Sequence, residues 1–118
     1  MATSGTLTIK NLTGVTLTAS DVTQLNDDAK FSGIANGDTI AGNGGQVTIA
    51  MSNNSIVFAP RGVGVEVTLS AQNPTRQVTL HLDIPAVGAH TLSYRDATNM
   101  SVAATEDPDN NSYTQVLT

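Results

Sequence analysis

The sequence predicts a mainly β fold: an antiparallel sheet of about six strands with one or two short helices. Three observations predict it: two runs of strict apolar–polar alternation, short β-branched segments cut by Gly, Asn and Pro, and very little helical periodicity. The strongest run is at residues 65–72, where Val65, Val67, Leu69 and Ala71 alternate with Glu66, Thr68, Ser70 and Gln72. In the second run Val78, Leu80, Leu82 and Ile84 alternate with Thr79, His81 and Asp83, after a turn at Asn73, Pro74 and Thr75. Successive side chains of a strand project to opposite faces, so this hairpin has one apolar and one polar face. The apolar face needs a cover.

The remaining elements follow in order. Strands over 6–10 and 15–18 flank residues 11–14 and read as a hairpin. Ser20 or Asp21 then offers a helix cap, with Gln24 three residues after Asp21 and Val22, Leu25 and Ala29 near helical spacing. Asn26, Asp27 and Asp28 form helices poorly, which limits this to one or two turns. Five glycines between 33 and 45 make turns around a short strand at 39–41. A strand at 46–51 places Val47, Ile49 and Met51 on one face, and Asn53–Asn54 turns into a strand at 55–59. After the main hairpin, residues 88–90 turn into a strand at 91–94, and 99–104 is the last strand. Asp107 as N-cap, Pro108 at the first position and Asp109 in the first turn predict a short C-terminal helix. Tyr113, Val116 and Leu117 would form its apolar face.

At 118 residues the chain is one domain, residues 1–118, long enough for a core without staples. It has no cysteine, which excludes disulfides, thiolate metal sites and thiol nucleophiles. No apolar stretch approaches the roughly 20 residues of a membrane helix, and the first five residues lack the features of a secretory signal. The reading is a protein made in the cytoplasm, or a mature form whose leader has been removed. Ten acidic against five basic residues give a net charge of −5, which opposes nonspecific nucleic-acid binding. Lys10, Lys30, Arg61, Arg76 and Arg95 are scattered singly, and Trp is absent. A stacking platform for single strands is therefore not expected.

No catalytic constellation is evident. His81 stands beside Asp83 on the polar sheet face, but neighbours two apart on a strand lie side by side rather than in relay, and His90 falls in a turn. The glycines at 42, 44 and 45 lack the strand-to-helix context of a phosphate loop and read as turn residues. Asp107, Asp109 and Asn111 place oxygen donors at alternate positions, as hard-cation loops do. This run is similar to the acidic calcium loop of small soluble bacterial lectins, without their denser Asp pattern; the simpler reading is a capped turn. Sequons at Asn11, Asn53, Asn99 and Asn110 are what an Asn-, Thr- and Ser-rich chain produces by chance.

Thr68-Leu69-Ser70, residues 72–76, Val78-Thr79-Leu80-His81-Leu82 and Ile84-Pro85 together resemble a stretch of the coat proteins of single-stranded RNA bacteriophages. Asn99-Met100, a strand and an acid-rich helix start resemble the family's last strand and first helix. The resemblance covers residues 65–85 and 94–109. It implies an antiparallel sheet covered by helices of a partner subunit, in a dimer that builds up to a shell. It further implies a polar inner face where Thr68, Ser70, Thr79 and His81 contact genomic RNA. Three features depart from the family: room for one C-terminal helix rather than two, a short loop at 86–90, and Glu66 and Asp83 on the face that would meet phosphate. The expectation is a virion structural protein of an RNA-phage-like particle, with no enzymatic activity, cofactor, membrane or small-molecule substrate. Its partners would be itself and genomic RNA, through a subunit interface of more than about 2,000 Å². The alternative is a β-sandwich binding module such as a calcium-dependent lectin, in which two sheets of one chain cover each other.

Overall fold

The computed structural model describes residues 2–26, 29–54 and 61–118. Ten strands among these residues form two sheets of five. Sheet A contains β1 (Ala2–Asn11), β3 (Lys30–Ser32), β5 (Gly45–Asn54), β9 (Val102–Asp107) and β10 (Ser112–Leu117), ordered β3-β5-β1-β10-β9. Sheet B contains β2 (Leu17–Gln24), β4 (Thr39–Ile40), β6 (Val63–Ala71), β7 (Arg76–Ile84) and β8 (Thr91–Thr98), ordered β4-β2-β6-β7-β8. Only β1 and β10 run parallel; the other pairings are antiparallel.

The two sheets bury each other's apolar faces. Leu7 and Ile9 of β1, Ile49 and Met51 of β5, and Tyr113 and Leu117 of β10 line the inner side of sheet A. They belong to one core with Val65, Val67 and Leu69 of β6 and Val78, Leu80 and Leu82 of β7, all fully buried. Burying one such side chain contributes about 1.5–3 kcal/mol. The mainly β class and the 65–84 hairpin are therefore as expected, but the sheet has its cover within the chain. The expected subunit interface on this face is replaced by β1, β5 and β10.

Three local expectations are corrected. Residues 6–18 do not make a hairpin: β1 and β2 lie in different sheets. The crossing is held by Leu12 N–H, which donates to Leu117 O at 2.8 Å, and by Gly14 N–H, which donates to Gly42 O at 3.0 Å. The helix suggested after Ser20 is instead a bulge in β2, with a register shift between Ser20 and Thr23 and Asp21 at φ 49°. There Val22 N–H donates to Asn36 Oδ1 at 2.9 Å rather than to a helical carbonyl. The C-terminal helix is a single 3-10 turn, Pro108–Asn110, and Asp107 makes no side-chain cap. Asn111, left-handed at φ 47°, turns the chain into β10, whose inward residues are Tyr113, Gln115 and Leu117. β8 begins at Thr91 as expected and runs on to Thr98, whereas the strand expected at 99–104 begins at Val102 as β9 and is followed by a further strand, β10. The strand expected at 55–59 lies outside the described residues.

Candidate functional site

The outer face of sheet B gathers all four residues that the phage-coat resemblance marks. The β6–β7 turn aligns Ala71 with Arg76, so Ser70 faces Gln77, Thr68 faces Thr79, and Glu66 faces His81. On the other side of β7, Arg95 lies opposite Thr79 and Ser93 opposite His81. Thr68 and Thr79 share a hydroxyl hydrogen bond of 2.9 Å. Thr79 is only 5% exposed, so its hydroxyl supports the face rather than presenting itself to a ligand.

Glu66 organises the charged part of this face. It accepts two bonds from the Arg95 fork, Nη1 at 2.8 Å and Nη2 at 2.6 Å, and the guanidinium spans β7 to make them. His81 Nδ1 bonds the same carboxylate at 2.9 Å. The Arg95 bonds first, and the His81 bond second, hold the Glu66 carboxyl down to about 2, well below its ordinary 4.5. The carboxylate in turn raises the pKa of Arg95. The Glu66 side chain is 23% exposed and that of Arg95 55%, so the carboxylate is sheltered while the guanidinium faces solvent. At the end of the face, Asp83 accepts from Asn26 Nδ2 at 2.8 Å.

This arrangement bears on both sequence readings of the face. His81 pairs with Glu66 across the strands and not with Asp83 along its own. Arg95 and His81, the basic side chains nearest the hydroxyls, are both committed to one carboxylate, which leaves little positive charge for phosphate. Sequence reasoning placed Glu66 as a repulsive charge and missed Arg95. The signal for the Glu66–His81 pair lies in the alternation: matching the two apolar faces needs an even-numbered turn, and the turn is residues 72–75, one longer than the Asn73–Thr75 read from the sequence, which brings 66 opposite 81. No comparable signal exists for Arg95, because β7 and β8 pair with a register shift between Gln77 and Thr79.

The acidic segment is tied up internally. Asp107 Oδ2 accepts from Asn110 Nδ2 at 2.9 Å, and Asn111 Nδ2 donates to Ser4 O at 3.1 Å. Asp109 is exposed in the 3-10 turn. Among the described residues no three His, Asp or Glu side chains converge as a cation would require. His90 closes the nearby end of the sandwich. Its ring lies 4.8 Å from that of Tyr113, and its Nε2 bonds Glu106 Oε1 at 3.0 Å. Of the sequons, Asn11 is fully buried and bonded, a structural residue. Among the described residues no helix is long and apolar enough to cross a membrane.

No known protein-family profile matches the sequence. No curated protein matches it either. The crystal structure of IP-1A from Alcaligenes faecalis is similar in fold, with a TM-score of 0.62 at 14% identity, over 99% of this chain and 89% of that one. At that identity the likeness speaks for the β-sandwich fold alone.

Proposed function

We propose that this chain is a non-catalytic β-sandwich binding module that recognises a polar, uncharged ligand, a glycan in the first instance, through the outer face of β6, β7 and β8. The observation that carries the reading is the Glu66–Arg95–His81 network. It is a set of polar groups fixed in geometry before any ligand arrives, on a sheet whose apolar side is already used. Preorganised donors and acceptors on a rigid element are what specific recognition needs. With Glu66 paired to Arg95, the face has too little positive charge for phosphate and too little apolar surface for a lipid or an apolar peptide. It offers hydroxyls on Ser70, Thr91 and Ser93, the Gln77 amide, and the solvent side of Arg95. A polyhydroxylated ligand matches that chemistry. The reading differs from a calcium-dependent lectin in routing recognition through the sheet and not through residues 107–111.

A test is a glycan panel probed with the wild type and with Arg95→Ala. Binding that falls at least about tenfold in the variant supports the proposal. Binding that is indifferent to Arg95 removes the face from consideration.

The second reading is a coat-like shell subunit contacting RNA. It is favoured by one observation: Thr68, Ser70, Thr79 and His81 do share one outward face. Particles in negative stain that protect RNA from nuclease, and lose that RNA on replacement of His81, would favour it over the glycan reading.

A further inference from the structure

The four sheet edges are not equally defended against pairing with another strand. An exposed edge presents a row of unpaired backbone N–H and C=O groups, which proteins blunt with short strands, lysines, prolines or bulges. At one end of sheet A, β3 has three residues and begins with Lys30; at one end of sheet B, β4 has two. At the other end of sheet B, β8 has a register shift, Asp96 at φ 56°, and the Ser93 carbonyl bonded by Gln115 Nε2 at 3.1 Å. β9 is longer and unshifted, and its charges are confined to one end, at Glu106, which bonds His90, and Asp107. Its pairing with β10 runs without a shift from Val102 to Asp107. The ladder continues through reciprocal Ser101–Thr118 bonds of 2.9 and 3.0 Å. It contains no Lys, Arg or Pro, five of its six residues are exposed, and no described strand covers its free side.

We infer that β9 is a self-association edge, pairing antiparallel with β9 of a second copy of this chain. The occupant is argued from charge. A two-fold axis through Ala104, normal to the sheet, sets Val102 opposite Glu106 and Ala103 opposite Thr105. The acids therefore face small or apolar partners and never one another, so the strand is compatible with itself. The pairing joins the two copies of sheet A into one sheet of ten strands. As an edge contact of modest area, it gives a concentration-dependent dimer rather than an obligate one. The axis direction also puts both outer faces of sheet B on the same side of the dimer. If the recognition reading above holds, the dimer presents two sites to one surface and gains avidity. The dimer itself does not depend on that reading.

Sedimentation over a concentration series tests the pairing. The wild type is expected to rise from 12.2 kDa toward twice that mass, and Ala104→Lys, which sets two ammonium groups against each other on the axis, to stay at the monomer mass. Ala104 is exposed, so the variant is expected to melt with the wild type. In this cysteine-free chain, Ala104→Cys should also form a disulfide dimer on mild oxidation, whereas Ala50→Cys, exposed on the outer face of β5, should not. A wild type that stays monomeric at every concentration, an association that Ala104→Lys leaves intact, or equal crosslinking at both positions would overturn the inference. Loss of glycan binding with the mass shift preserved would instead count against the recognition reading alone.

Discussion

Two residues carry much of the local chemistry, and they were unequally visible beforehand. Glu66 is depressed to about 2 by Arg95 and His81. A carboxyl depressed in the folded state adds stability above its unfolded value near 4.5, and that stability is lost as pH falls through the folded value of about 2. Solvent around the half-exposed guanidinium screens the pair, so the contribution is small. The Glu66→Gln variant should accordingly show a flatter decline in melting temperature between pH 4.5 and 2 than the wild type. Parallel curves would remove the network from the stability account. Asn11 is the buried counterpart. Its Nδ2 donates to Val15 O at 2.8 Å and Ile40 O at 2.9 Å, and its Oδ1 accepts from Thr13 N and Oγ1 at 3.0 and 2.7 Å. Asn11→Ala strands those partners and is expected to cost at least about 2 kcal/mol in chemical denaturation. A near-neutral result would mean that the crossing loop rearranges to satisfy itself. In the sequence Asn11 reads as a turn residue or sequon, because nothing local reveals that its partner carbonyl lies at Ile40.

The elements that were legible are those whose information is local. The β6–β7 hairpin declares itself through unbroken alternation and turn chemistry, and its register follows from matching the two apolar faces, which lengthens the turn by one residue to 72–75. The elements that were misread depend on distant partners. β1 and β2 look like a hairpin because they are adjacent and share a turn, yet β1 bonds to β5 and β10 instead. β10 looks like a helix face because Gln115 interrupts its buried row. That glutamine is 1% exposed: its Nε2 donates to Ser93 O across the sandwich, while its Oε1 is buried without a hydrogen-bond partner. Packing at this scale gives two expectations. Leu80→Ala, at a fully buried position of β7, should lower stability by about 2–5 kcal/mol through lost burial and a residual cavity. At Gly42 an added Cβ would meet the backbone of Gly14 and Val15 where the sheet-to-sheet crossing passes the loop before β5. Gly42→Ala should therefore destabilise by about 1–3 kcal/mol, and an unchanged denaturation midpoint would show that the two loops can separate.

For the whole molecule, the decisive difference from the sequence reading is which surface is spent on folding. A one-sided sheet with no helices to cover it suggests a partner subunit; two sheets in one chain spend that surface internally and leave polar faces and edges outward. Recognition is then assigned to the outer face of sheet B, and association to the edge of β9. The most direct test of recognition is the glycan panel, read for the wild type, Arg95→Ala and a control, Thr48→Ala, on the exposed outer face of sheet A. Wild-type binding is expected to fall at least about tenfold with Arg95→Ala and to be unchanged by the control. No binding across the panel, or a loss that follows Thr48 and spares Arg95, would contradict that assignment.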